Sequence, residues 1–370
     1  MIRLRGMTWD HPRGVDPLVA LSEAWRSEHG VEITWDRRSL QDFESYPVEE
    51  LAARYDLIII DHPHVGQITA EGCLLPLPDA PEIAAGSLGQ SFESYTWQGR
   101  QWAWPVDAAA QVQAVRPDLG GPASDWDEVL RLAGEGRVAI PLRPPHSLMS
   151  FYTLCANLGT PCRVDGDAPF CDRRGAVRAL ELLAALAGAV DPVCNDQDPI
   201  AVLEEMAEGN RLSCAPLIYG YVSYAIAGTR PNRIAFHDIP EATKGAGPRG
   251  SALGGTGLAV SARCKAPEAA VAFARHAAGP VAQEGPWPFA GGQAGHRGAW
   301  TLPGVDAEAG GFYSGTLATL DMAWMRPRHD GYMPFQQAAS ERVGAALKDG
   351  RIDAALDDLD RLFVESFGAG

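Results

Sequence analysis

Nowhere does this chain run to the roughly 20 consecutive apolar residues that a membrane-spanning helix needs, so insertion into a bilayer by helices is not expected. Positive charge is scarce as well: 31 Lys and Arg stand against 47 Asp and Glu, a formal net charge of -16. Without a basic patch or stripe there is no electrostatic footprint for nucleic acid or an anionic lipid surface. Cysteine is sparse and irregular. The seven (Cys73, Cys155, Cys162, Cys171, Cys194, Cys214 and Cys264) are odd in number and contain no C-x-x-C pair. That fits a reducing compartment better than a disulfide framework, with one bridge among Cys155, Cys162 and Cys171 left open. The apolar core of a secretory signal is missing from Met1-Ile2-Arg3-Leu4-Arg5-Gly6. As written, the chain is expected in the cytoplasm, or in the periplasm or outside the cell if a leader was removed. Familiar catalytic signatures are also absent: no G-x-x-x-x-G-K-[ST], H-E-x-x-H, G-x-S-x-G or S-x-x-K occurs.

What is present is an ordinary soluble composition, 46% hydrophobic and 21% charged, which places the chain among globular proteins. At 370 residues it suits two domains. Strand and helix alternate over the first hundred residues, implying a parallel sheet. Strands are expected at Leu4 to Trp9, Val31 to Asp36 and Asp56 to Ile60, with helices at Pro17 to His29 and Val48 to Arg54. Gly99 to Pro105 reads as a hairpin turn entering a strand, and the small-residue segment Val106 to Val115 as a crossing between domains. Further strands are expected at Val138 to Pro141, Leu212 to Ile218, Ile234 to Ile239 and Leu253 to Val260. Helices are expected from Ser147 to Leu158, Arg173 to Ala187, Pro199 to Glu208 and Pro267 to Ala278, with an almost wholly helical tail from Asp306 to Phe367.

The triplet Asp-His-Pro ends an apolar run twice, as Asp10-His11-Pro12 and as Asp61-His62-Pro63, the latter followed by His64 and Gly66. Both would stand at carboxyl ends of parallel strands, the rim where open α/β sheets bind ligands. Proline after each histidine fixes the turn. These residues suit three roles: ligand hydrogen bonding, capping of the helices that follow, or a two-imidazole, one-carboxylate metal site. Tyr219, Tyr221 and Tyr224 at a strand end can stack on a sugar or planar ligand, or simply pack the core. Arg326-Pro327-Arg328-His329 and His296-Arg297 are cationic clusters suited to an anion, or merely solvated. Gly254-Gly255-Thr256-Gly257 fails the dinucleotide spacing and precedes a strand, so its glycines permit close backbone approach to another segment or to a ligand.

In order along the chain, several segments resemble the extracellular solute-binding proteins of ABC importers, the group that includes maltose- and other sugar-binding proteins. They are Tyr55 to Asp61 continuing to Glu71-Gly72-Cys73-Leu74-Leu75-Pro76-Leu77, and Gly99 to Pro105 with Asp118-Leu119 and Pro122 to Val129. Leu253 to Ala262 with Pro267-Glu268-Ala269-Ala270, and Gly350 to Leu356, complete the set. The resemblance implies an α/β, two-lobed, periplasmic-binding-protein-like (type II) fold with hinge crossings and a helical C-terminal segment. One lobe would comprise residues 1–110 and 238–293, the other 111–237 and 294–370. Crossings would fall near Ala109 to Ala114, Phe236 to Pro240 and Gly291 to Arg297. Trp9, Asp10, His11, Asp61, His62 and His64 would line the first lobe; Ser147, Tyr219 and Tyr221 the second. Asp107, Gly255, Thr256 and Arg326 join them as candidate ligand contacts. Val115-Arg116-Pro117-Asp118 departs from the family pattern and would put an arginine near the hinge.

The function implied is capture of a small polar ligand, sugar-like or an organic acid, with no cofactor and no metal. The partners would be that ligand and, if the protein is exported, an ABC permease. The chain is expected to be monomeric. A second possibility is a cytoplasmic enzyme or sensor on the same fold. In it His11, His62 or His64 would act as acid or base, oriented by Asp10 or Asp61.

Overall fold

A computed structural model of the protein describes residues 1–39, 48–166 and 169–368. Among these residues, nine strands form a mixed sheet and a small hairpin. They are β1 (Ile2–Trp9), β2 (Val31–Arg38), β3 (Leu57–Ile60), β4 (Thr96–Trp97), β5 (Arg100–Gln101), β6 (Trp104–Val115), β7 (Cys214–Tyr219), β8 (Ala235–His237) and β9 (Leu253–Val260). The large sheet runs β2-β1-β3-β9-β6-β7, with β8 also paired to β6. β1 lies parallel to β2 and β3, as the βα alternation predicts, whereas β9 enters antiparallel between β3 and β6. All four residues of β3 are buried, as its Leu-Ile-Ile-Ile composition requires of a strand covered on both faces.

β6 holds the two lobes together. Its 12 residues are all buried. The half from Trp104 to Ala110 pairs with β9 in the first lobe, and the half from Gln111 to Val115 pairs with β7 and β8 in the second. The expected crossing near Ala109 to Ala114 is therefore an unbroken strand. Arg116 at its end is buried, donates to the carbonyls of Met206 and Gly209, and pairs with Asp118. The arginine expected at the hinge is thus a structural lock.

In the first lobe the helix Pro12–His29 packs on β1 and β2, and the helix Pro267–Ala278 on β9 and β6. In the second lobe the helices His146–Asn157, Arg173–Ala189, Tyr332–Asp349 and Ile352–Phe367 pack on one another. Two expectations need correction. The first helix begins at Pro12, not at Pro17, because His11 caps it: Nδ1 accepts the Arg13 backbone N–H at 3.2 Å. Val138 to Pro141 is not a strand; Val138 makes one isolated bridge to Cys214, and Pro141 has no N–H to extend a ladder. Among the described residues no helix is long and apolar enough to cross a membrane.

Candidate ligand-binding cleft

A partly open cavity of about 80 Å³ lies between the lobes. Its first-lobe wall is made by strand ends, with Trp9 closing β1, Asp61 following β3, and Gly254, Gly255 and Thr256 in β9. Across from these stand Tyr219 at the end of β7, Tyr221 just beyond, and His146 and Met149 on the first turns of the helix His146–Asn157. Gly255 has φ +98°, and a Cβ there would lie 2.4 Å from the Asp107 carbonyl oxygen. Only glycine admits that approach of β9 to β6.

Two buried ion pairs frame the space. Arg326 Nη2 donates to both oxygens of Asp61, at 2.8 and 2.6 Å, while its Nη1 donates to Gln336 Oε1 at 3.2 Å. Asp61 belongs to the first lobe and Gln336 to a second-lobe helix, so this guanidinium spans the cleft. It can reach because Gly66 lets the turn after β3 press against the chain at Arg328, where a Cβ would fall 1.9 Å from the Arg328 carbonyl oxygen. Burial raises the Asp61 carboxyl, but Arg326 and the neighbouring His62 outweigh it and hold the group below the usual carboxylate range.

The second pair is Arg13–Asp107. Arg13 Nε donates to Asp107 Oδ2 at 2.7 Å and Nη2 donates to Oδ1. Its Nη1 crosses to the Gly220 carbonyl at 2.8 Å, and the guanidinium lies 4.5 Å from the centre of the Tyr221 ring. Each arginine is thereby matched by one carboxylate. His146 adds no charge, since burial lowers its imidazole to about 4. Three polar atoms of lining residues have no hydrogen-bond partner among the described residues: Thr256 Oγ1, Arg326 Nε and His146 Nδ1. Groups of this kind are what a ligand hydroxyl would satisfy.

Of the residues expected from the sequence, Trp9, Asp61, Tyr219, Tyr221, Gly255, Thr256 and Arg326 line this cavity, and Asp107 stands behind Arg13. Others do not. Asp10 is exposed and 3.8 Å from Arg37, facing solvent. Ser147 is buried against the helix Tyr332–Asp349, sharing a 2.8 Å hydrogen bond with Ser340 Oγ. His11 serves as a helix cap and packs edge-on to Tyr221 at 5.0 Å; burial and the Arg13 charge lower it to about 3. His62 is fully buried beside Asp61, with Nδ1 3.2 Å from Oδ1, and burial lowers it to about 4. His64 is buried and is not among the lining residues.

The cationic clusters are committed as well. Arg328 donates to the carbonyls of Glu93, Ser94 and Thr96, and Arg297 pairs with Asp321. Neither is available to an anion. Among the described residues no group of three His, Cys, Asp or Glu is arranged to hold a metal.

Among the lining residues not expected as ligand contacts are Arg13, His146, Met149 and Pro199. Arg13 carried one signal, a cation immediately after the first Asp-His-Pro turn and hence on the rim. His146 carried another, as the end of the Pro-Pro-His approach to a helix. Met149 and Pro199 carried none.

A family model described as bacterial extracellular solute-binding protein matches residues 20–287. No curated protein matches this chain. The fold is similar to that of an ABC-transporter solute-binding protein from Thermotoga lettingae TMO bound with α-D-tagatose (TM-score 0.81, 15% identity, 99% of this chain and 100% of that one). It is similar also to maltose-bound MalE3 of T. maritima (0.80, 17%, 98% and 99%). A third likeness is a solute-binding protein from Agrobacterium radiobacter K84 in complex with ribitol (0.76, 19%, 98% and 98%). At these identities the structures establish the two-domain α/β fold. The family match, over well more than half of the length, establishes the kinship: this chain belongs to the bacterial extracellular solute-binding proteins.

Proposed function

We propose that the cleft captures a neutral polyhydroxylated ligand, a sugar or sugar alcohol, for delivery to an ABC permease. The observation that carries this reading is the charge balance of the site. Both arginines at the cavity are neutralised by buried carboxylates, and the one lining imidazole is uncharged at neutral pH. A carboxylate ligand would have to displace Asp61 or Asp107 from its guanidinium, leaving a buried charge unpaired. A sugar hydroxyl instead adds to both ends of an existing pair, donating to the acid and accepting from the arginine. Tyr219, Tyr221 and Trp9 supply aromatic surface for the C–H faces of a sugar ring. The ligands named for the similar structures, tagatose, maltose and ribitol, are of this class. The organic-acid branch of the sequence reading is set aside on this ground. The acid–base alternative also loses support, because His11, His62 and His64 stand outside the lining.

We divide the lobes as the sequence suggests, with two changes: residues 238–251 go with the second lobe, since the Glu241 N–H donates to the Ser124 carbonyl at 3.0 Å and Asn157 Nδ2 donates to the Arg249 carbonyl at 2.8 Å. Residues 294–300 go with the first lobe, since the Arg297 N–H donates to the Gly86 carbonyl at 2.7 Å.

The test is a thermal-shift screen of monosaccharides, disaccharides, polyols and small organic acids. A ligand at a hundred times its dissociation constant stabilises the folded state by about 2.7 kcal/mol. Neutral sugars or polyols raise the melting temperature if the reading is right. Stabilisation by organic acids alone overturns it.

A further inference from the structure

Three thiols, Cys155, Cys162 and Cys171, lie within 17 positions of one another in the second lobe. Cys155 lies on the helix His146–Asn157, Cys162 in the segment after it, and Cys171 just ahead of the helix Arg173–Ala189. The Cys162 thiol lies close enough to those of Cys155 and Cys171 to influence both, and burial together with these contacts pushes all three up. All three are free thiols in this structure. We propose that Cys162 and Cys171 are a redox-active pair that closes to a disulfide, with Cys155 as the bystander thiol.

Three observations select this pair. The Arg163 N–H donates to the Phe170 carbonyl at 2.8 Å, a rung that draws together the two strands of chain flanked by Cys162 and Cys171. Both cysteines lie outside helix and strand, where backbone can adjust to disulfide geometry, whereas Cys155 is fixed in a helix. Cys171 and Cys162 keep 6% and 4% of their surface exposed, and Cys155 none, so an oxidant reaches the pair first. The family is described as extracellular, and outside the cytoplasm thiols meet disulfide oxidants. By exchange, Cys162–SH and Cys171–SH react with a small-molecule disulfide to give one intramolecular S–S bond and two molecules of free thiol. Two electrons and two protons pass to the oxidant, and a mixed disulfide on one cysteine is the intermediate.

The bond would brace the attachment of the C-terminal helices. The Phe170 N–H donates to Asp360 Oδ1 at 2.8 Å, and its ring packs 4.6 Å from Phe363 and 5.1 Å from Phe335. Both rings belong to the helices that end the chain, so pinning residue 171 to residue 162 fixes this clasp.

The experiment incubates the full chain with oxidised glutathione, alkylates free thiols, and maps peptides by mass spectrometry without reduction. A Cys162–Cys171 linkage with alkylated Cys155 is expected, along with a melting temperature a few degrees higher that falls back on adding dithiothreitol. Cys155→Ser should keep both effects, and Cys162→Ser and Cys171→Ser should each lose them. Hydrogen exchange in residues 352–367 should slow in the oxidised form of both wild type and Cys155→Ser. Predominance of a Cys155–Cys162 linkage overturns the proposal. So does glutathione attached to single cysteines, or seven thiols still free after oxidation.

Discussion

The behaviour of the cleft is set by two guanidinium–carboxylate pairs, Arg13–Asp107 nearly closed to water and Arg326–Asp61 with a buried guanidinium and a carboxylate 19% exposed. Removing one partner leaves an unpaired buried charge, a loss of about 3–5 kcal/mol. Asp61→Asn should therefore lower the unfolding free energy by about that amount in a denaturant titration, and ligand affinity should fall with it. Thr256 makes a different prediction. Its hydroxyl has no partner among the described residues, so Thr256→Val removes nothing from the empty protein. Stability should be unchanged or slightly higher, while calorimetric affinity falls by about tenfold through one lost ligand hydrogen bond. An unchanged affinity would remove Thr256 from the site.

Titration belongs to the same scale. His62 and His146 are lowered in the folded protein from 6.5 to about 4, mainly by burial, and His11 to about 3. The unfolded chain then binds more protons than the folded one between those values and 6.5, so stability rises with pH across that window. On acidification each imidazole removes about 1.4 kcal/mol per pH unit until its folded value is reached. Unfolding midpoints measured from pH 7 to pH 4 should fall steadily, whereas ligand affinity should stay flat from pH 7 to pH 9.

Among the elements, the cap on the first helix and the glycine in β9 are the sensitive points. His11→Ala removes the Nδ1 acceptor and should cost about 1 kcal/mol of stability with little change in affinity. Gly255→Ala should disturb affinity as well, because the strand must move away from Asp107. Elements of this kind were legible where pattern was strong. Leu253–Val260, Pro199–Glu208 and Pro267–Ala278 fall where their apolar spacing and prolines put them. The start of the first helix was not, because Pro17 looks like a first-turn proline and the capping imidazole of His11 looks like a functional group. The paired Asp-His-Pro turns marked the right rim, and Asp61 lines the cavity as expected, whereas Asp10 faces solvent. The histidines turned inward to cap or to pack, and Arg13 after the first turn and Asp61 of the second took the cavity. Which residues face a cleft depends on how two lobes meet, and Arg326 reaches Asp61 across 265 positions of sequence. No local spacing encodes that meeting.

For the whole molecule, both arginines reach across the cleft, Arg13 to the Gly220 carbonyl and Arg326 to Asp61. They tie the lobes in the conformation seen here, and ligand hydroxyls would add to the same ties. Closure of this type is a hinge motion about a few backbone positions. The radius of gyration in small-angle scattering, about 21 Å for a compact chain of this length, should decrease when a stabilising sugar is added. It should respond less in Asp61→Asn.

β6 has a consequence for how the molecule comes apart. Chains with two domains commonly melt in two steps, since each part can open without the other. Here one buried strand contributes its first half to one sheet neighbour and its second half to two others. Neither lobe can lose its centre without stripping the other's. Scanning calorimetry should record one endotherm whose van't Hoff and calorimetric enthalpies agree, the signature of a bilobed protein that is a single cooperative unit.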